Sequence, residues 1–535
     1  MEKRCLSLLL AGVLGVSLLA GCGNAESGSG NAADDKQTTG TEAAADTGDD
    51  EDAEDEDMEI TDINLYALAL GETDGVAEVQ DAVNEISEKE IGVHVNLNLM
   101  DAGSFMQQIG LMLAGGESVD LLQVTPLGSV AFNACQSQNQ LMEISDLLNE
   151  YAPDLVDTVG DYLKGMEVEG GLYGVPGYRL LNSNMYIYMR ADVLDELDLR
   201  AEAEAADSWS DIDAIFKKVY AAQDSLPEDM KTTCMISNTG STGDVITVEP
   251  ALAGNDDWSK AKGYDTLGDS YYIVGVDDSS DTVFSWYESE DFQNEIKIVQ
   301  DWYDKGYVYK DAATSEETGD NNIKNGIAFA NVAFSEPGVE SSKQAATGYD
   351  LVCRQISSGP VTTGSARSWG WAVPVTSSEP EAAAKFMNLM YTNADIENLL
   401  TWGIEGRDYE LNEAGEAVRL DGATYTSGDF LWGNQFLAYP AQGQGSDFRA
   451  TSLAEMESAG ISKYYGCSVN VDSISNELTS INNVISTYYA RLVSGSTTDL
   501  DADYQEFIDN LKAANVDKVV ETYQTALDAW LAEQN

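Results

Sequence analysis

The chain has 535 residues, 43% of them hydrophobic, with 28 Lys and Arg against 93 Asp and Glu, a single His, and a formal net charge of −65. That length and apolar content are enough for two or three domains with large cores. The charge repels nucleic acid and anionic lipid, which excludes DNA and RNA as partners.

The chain opens with Lys3 and Arg4, an apolar run from Leu6 to Ala20, and Leu19-Ala20-Gly21-Cys22. A basic start and an apolar stretch shorter than the roughly 20 residues of a spanning helix predict a secretory signal peptide over residues 1–21. Leu-Ala-Gly-Cys resembles the lipobox of bacterial lipoproteins, which implies that Cys22 carries a lipid anchor and that the mature chain sits on the extracellular face of the cell membrane. Residues 22–60 then reduce to small, polar and acidic types ending in Asp49 to Asp57. Too few apolar groups and dense like charge predict a disordered tether, roughly 30 to 36 Å across as a neutral coil and longer when it repels itself.

Beyond the tether, Ile63 to Leu70 reads as a buried strand and Val76, Val79, Val83 and Ile86 as one face of a helix. Val93 to Leu99 alternates apolar and polar, as a half-buried strand does. Phe105 to Ala114 predicts a further helix, Asp120 to Val124 a short strand and Leu141 to Tyr151 another helix. Strands alternating with helices predict an α/β sheet layer.

His94 falls on the polar side of its strand and reads as solvent-facing, and one histidine cannot build an HExxH site or a multi-histidine metal centre. No GxSxG elbow, phosphate-binding loop or GxGxxG fingerprint occurs, so no cofactor, metal or catalytic triad is expected, although 93 acids leave the paired carboxylates of a glycosidase open. Asp277, Ser279, Asp281, Ser285 and Glu288 have EF-hand-like spacing, but Thr282 stands where the turn needs Gly, and a β-hairpin accounts for the same residues. Cys135, Cys234, Cys353 and Cys467 are scattered singly and read as buried free thiols, with long-range bridges left open.

The order of these elements resembles the extracellular solute-binding proteins of bacterial ABC importers, the lipoprotein type related to maltose-binding proteins. The likeness rests on Ile63 to Ile86 with the strand from Val93, on Asp120 to Val124 with Leu141 to Leu147, on Gly171 to Arg179 with Met185 to Leu194, and on Trp371 to Pro374 with Ser378 to Met387. Asp301 to Ala313, and Gly403 to Tyr409 with Trp432 to Leu437, are similar to a subgroup with a C-terminal module of unknown function. The resemblance implies a periplasmic-binding-protein-like type II fold, α/β, with two lobes, a hinge and an interlobe cleft. It also implies capture of a carbohydrate by hinge closure, delivery to an ABC permease, and no enzymatic activity. A monomer is expected. Lobe 1 is placed at 61–177 plus 321–371, and lobe 2 at 178–320 plus 372–535, including the module from about Asn393.

Loops at the carboxyl ends of strands line such clefts, which selects Glu72, Asp74, Thr125, Tyr178 and Arg179. Sugar recognition combines aromatic faces with hydrogen-bonding groups, which adds Trp369, Trp371, Trp402, Trp432, Asn434 and Gln435. Glu405 and Arg407 read equally as an ion pair that fixes a loop. An oligosaccharide is the first expectation. A peptide or other polar solute on the same scaffold comes second, and a secreted glycosidase or adhesion lipoprotein third.

Overall fold

The computed structural model describes residues 59–240, 242–246, 255–261, 263–269 and 271–534, all within the unit Asp57–Asn535. The expected signal peptide, Cys22 and all but the last two tether residues lie outside the described residues. Alternation in β1 (Thr61–Leu68) buries Ile63, Leu65 and Ala67, and in β2 (Val93–Met100) it buries Val93, Val95 and Leu97. The two strands pair in parallel from Thr61 with Val93 to Leu68 with Met100. Between them, α1 (Val76–Ile91) buries Val79 and Val83 and stops at Gly92, whose φ of 66° lets its N–H reach back to the Glu88 and Ser87 carbonyls.

β2 lies at the edge of its sheet, and α1 closes that edge. The Leu97 N–H donates to Gln80 Oε1 (2.8 Å), the Val95 N–H to Asn84 Oδ1 (2.8 Å), Asn84 Nδ2 to the Val95 carbonyl (3.1 Å) and the Ser87 hydroxyl to the Val93 carbonyl (2.7 Å). Groups that would otherwise invite another strand are already paired. His94 is half-buried rather than simply solvent-facing, because its Nδ1 lies 2.6 Å from Glu88 Oε1.

After α2 (Ala102–Gly115), capped by the Asp101 carboxylate, comes the wholly buried β3 (Leu121–Val124). Short strand β4 (Val175–Pro176) leads across to β5 (Asn184–Arg190), followed by β6 (Cys234–Ile236), β7 (Val274–Asp277), β8 (Thr282–Ser285), α3 (Glu290–Asp304), β9 (Ala328–Phe334) and β10 (Leu351–Ser358). The chain returns through β11 (Gly370–Ala372), α4 (Pro380–Thr392) and α5 (Ala394–Trp402), and ends in α6 (Phe448–Ala459), α7 (Ser475–Val493), α8 (Leu500–Ala513) and α9 (Val516–Gln534).

Among the described residues two larger sheets result, β2-β1-β3-β11-β4 and β10-β5-β9-β6, beside three two-stranded ones. In the first, β11 runs antiparallel to both β3 and β4; in the second, β5 runs antiparallel to β9 and β10. Each larger sheet has its own core.

The sheets divide the chain differently from the sequence expectation. β9 and β10 fall inside 321–371 yet belong to the second sheet, where Phe329, Ala330 and Val332 are buried. Conversely, α4 and α5 join the first core through Ala383, Phe386, Met387, Met390, Ile396 and Leu400. The physical reason is that a strand's own pattern sets which of its faces is buried but not which sheet it pairs with, so β9 and β10 carry no mark of their lobe.

A third core joins the β7–β8 hairpin to α7, α8 and α9. Helix α3 bridges it to the second core, with Phe292 and Ile296 in the third and Val299 and Trp302 in the second. The expected hairpin forms, with Thr282 opposite Asp277. Its candidate calcium ligands have other partners: Asp281 pairs with Lys463 (2.5 Å) and Glu288 with Lys512 (2.8 Å). Among the described residues all four cysteines are free thiols.

Candidate functional site

Three passages of chain cross between the lobes, and they are bonded to one another. Gly177 N–H donates to the Trp369 carbonyl (3.0 Å), Tyr178 N–H to Gly433 (2.8 Å), Gln435 N–H to Tyr178 (3.0 Å), Gly359 N–H to Ser183 (2.7 Å) and Val361 N–H to Gly460 (2.9 Å). A small apolar cluster of Leu180, Leu181, Val361, Ala366, Met456 and Tyr465 packs the junction. A few backbone bonds and one compact cluster leave a joint about which two separately cored lobes can rotate.

A cleft of about 930 Å³ opens there. The first lobe contributes Thr125, Phe132 and Asn133; the crossings contribute Arg179, Asn182, Asn184, Thr362, Ser365 and Trp369; the second lobe contributes Phe334 and Glu336. Tyr264, Asp269, Tyr271 and Tyr272 line it from the side carried by the third core.

The charged groups of the crossings are spent inward. Arg179 donates to the carbonyls of Leu180 (3.1 Å) and Ser365 (3.3 Å), and burial lowers its pKa to about 10. Arg367 donates to the Gly165 and Glu167 carbonyls, to Asn133 Oδ1 and to the Ser468 hydroxyl, at 2.7 to 3.1 Å. Glu336, raised in pKa by burial and then by nearby Asp429, accepts from Gln435 Nε2 (3.1 Å), while Gln435 Oε1 accepts from the Leu180 N–H (3.2 Å). Behind them, burial raises Glu397 to about 8, so that it is a neutral carboxyl group at pH 7, and it accepts from the Asn434 N–H (3.2 Å). Buried charges held by fixed hydrogen bonds set shape, and leave recognition to aromatic, amide and hydroxyl groups.

Of the residues selected from sequence, Thr125, Arg179 and Trp369 line the cleft. Thr125 Oγ1 accepts from the Leu127 N–H, and Trp369 meets Phe430 edge-on at 5.3 Å. Gln435 stands one layer behind, holding Glu336. Tyr178 packs against Tyr162 and Phe436. Trp371 and Trp432 are stacked in the first core at 5.8 Å and 16°, while Trp402 sits in a separate cluster with the Arg419 guanidinium 4.6 Å from its ring. Asn434 uses its amide on the Tyr391 carbonyl. Glu72 and Asp74 lie on an exposed loop pinned by Thr426, whose hydroxyl accepts the Glu72 N–H. That approach is close enough that a Cβ on Gly71 would fall 2.0 Å from Thr426 Oγ1. Arg407 pairs with Asp408 (2.5 Å) and Glu78 (3.4 Å) instead of Glu405, because the buried Asp408 carboxylate is adjacent and needs a cation.

Sequence reasoning did not select Asn182, Asn184, Glu336 or the Tyr271–Tyr272 pair. The signal that could have found the tyrosines is two large aromatics immediately before the expected hairpin.

Residues 71–397 match the family described as bacterial extracellular solute-binding protein, and residues 463–532 match a domain of unknown function. A carbohydrate ABC transporter substrate-binding protein of Streptococcus pneumoniae serotype 4 is 21% identical over 476 residues, covering 88% of this chain and 91% of the relative. Among solved structures, the N-glycan transport solute binding protein NgtS of S. pneumoniae matches with a TM-score of 0.74 at 19% identity, over 89% of this chain and 100% of its own. Its complex with Man5GlcNAc matches with a TM-score of 0.65 at 19% identity, over 89% of this chain and 99% of its own. The shared architecture is the periplasmic-binding-protein-like type II fold, two lobes with a hinge and a cleft between them.

Proposed function

The chain belongs to the bacterial extracellular solute-binding protein family, and from that premise we propose that it captures an oligosaccharide in the interlobe cleft and delivers it to the transmembrane subunits of an ABC permease. It acts as a binding protein without turnover, as a monomer, held at the extracellular face of the membrane by lipid on Cys22.

The observation that carries this reading is a cleft whose arginines are engaged with the protein's own groups while Trp369, amides and hydroxyls line the space. An indole face stacks on the apolar face of a pyranose, and neutral polar groups bond its hydroxyls. A peptide would need a cation reserved for its carboxylate, and Arg179 and Arg367 are already committed to carbonyls. The carbohydrate relative and the glycan-transport structure support the same direction.

Mechanistically, a sugar touching both lobes binds the closed arrangement better than the open one, and that difference in affinity shifts the population toward closure. The permease then distinguishes loaded from empty protein by shape.

Calorimetric titration of the mature chain with Man5GlcNAc, kestose and a set of tri- and tetrapeptides tests the reading. Saturable binding of a sugar, recovered unmodified, is expected; binding of peptides alone, or hydrolysis of the sugar, overturns it. Cys22→Ala is expected to release the protein from cells into the medium.

A further inference from the structure

Large hydrophobic side chains exposed on the described surface are scattered, with one exception. Tyr271 and Tyr272, 42% and 36% exposed, are adjacent in sequence, and both line the cleft. They stand on a built turn. The buried Asp269 carboxylate collects three backbone donors: the Tyr271 N–H on Oδ1 (3.0 Å), and the Ile273 (2.6 Å) and Val274 (3.1 Å) N–H groups on Oδ2. The Tyr287 hydroxyl donates to the Tyr271 carbonyl (3.4 Å). Tyr272 itself has φ of +52°, a conformation that a bulky residue keeps only where its surroundings impose it and that concentrates at ligand clamps.

The residues that follow it in the chain pack against the C-terminal helices. Ile273 and Val274 belong to the third core with Leu478, Phe507 and Tyr523, not to the core of the second sheet. Gln524 of α9 grips the hairpin that follows, accepting from the Val283 N–H (2.7 Å) and donating to the Asp281 carbonyl (3.0 Å). On the other side of the turn, Asp265 accepts from the Leu267 N–H (2.7 Å) and the Ser462 hydroxyl (2.5 Å).

We propose that the C-terminal module of residues 463–532 builds a third wall of the cleft, presenting Tyr271 and Tyr272 as an aromatic clamp for successive rings of an oligosaccharide, with Asp269 as its positioning residue. This rests on the carbohydrate reading above and narrows it: two neighbouring aromatic faces suit a ligand longer than a monosaccharide. A rim element hung on the module rather than on either sheet also gives that module a role in recognition.

The test uses the full mature chain and calorimetric titration with Man5GlcNAc and kestose. Y271A/Y272A is expected to lose about ten-fold in affinity for whichever sugar the wild type binds, while Y271F/Y272F stays near wild type. In the sugar-free protein, Asp269→Ala is expected to speed amide hydrogen exchange at Ile273 and Val274 and to weaken binding. Asp269→Asn, which keeps one acceptor oxygen, is expected to recover part of both. A wild type that binds neither sugar but binds peptides overturns the carbohydrate reading and the clamp with it. A wild type that binds sugar with an affinity unchanged in Y271A/Y272A overturns the clamp alone. Unchanged exchange in Asp269→Ala removes Asp269 from its role.

Discussion

The wall of the cleft made by the crossings and the rim carried by the C-terminal helices are built on opposite plans. At the crossings, polar and charged side chains turn inward: Arg367 holds four acceptors, Gln435 ties Glu336 to the Leu180 backbone, and behind them Trp371 stacks on Trp432. At the rim, a carboxylate turns inward so that two tyrosines can face out. The contrast separates rigidity from recognition: one wall fixes the joint and the other offers surface.

Three changes test that separation. Trp371→Ala should have the largest effect, about 3 to 5 kcal/mol of stability lost in urea denaturation, because the ring is fully buried and its removal leaves a cavity beneath the crossings. A loss near 1 kcal/mol would mean that the crossing wall is not what holds the first lobe.

Glu397→Gln comes next and has a pH signature. Burial raises the folded-state pKa of Glu397 to about 8 from 4.5. Between these values the folded protein holds a proton that the unfolded chain has released, so this group's contribution is full below about pH 4.5 and is lost as pH rises toward 8. Asp244 and Asp269, each raised to about 6 by burial, act in the same direction over the lower part of that range. Glu397→Gln should therefore stabilise the protein by about 2 to 4 kcal/mol at pH 8 and by almost nothing at pH 4, read as the shift in denaturation midpoint at each pH. An equal effect at both pH values would contradict the buried-acid account.

Tyr271→Ala should change stability least, by less than about 0.5 kcal/mol in the same assay. A larger loss would make the rim a structural element and blunt the contrast between the walls.

Much of the first lobe was legible in the chain. The alternation in Val93 to Leu99 and the spacing of Val79 and Val83 correspond to β2 and α1 within a residue or two, since half-buried elements write their exposure into the sequence. β9 and β10 were assigned to the wrong lobe because a strand's own pattern marks which of its faces is buried and not which sheet it joins; only their partners across the sheet decide where they go. The cleft was partly legible: Thr125 and Arg179 follow from strand ends and crossings, and Trp369 from an aromatic in a polar, glycine-flanked context. Trp371, Trp402 and Trp432 occupy the same kind of glycine-flanked, polar context as Trp369, yet lie in cores, because local composition does not say which side of a strand or loop meets another layer. Tyr272 was illegible for another reason: its left-handed backbone lies between residues held by Asp269 and by helices more than 200 residues away in the chain, and tyrosine has no preference for that conformation.

The three side chains by which α1 seals the rim of the first sheet also bear on life among many copies. Copies of one chain at high concentration meet each other constantly, and a bare outer strand would let them zip together into ordered aggregates. With Gln80, Asn84 and Ser87 already occupying those backbone groups, and a charge of −65 driving neighbours apart, such molecules can crowd without sticking.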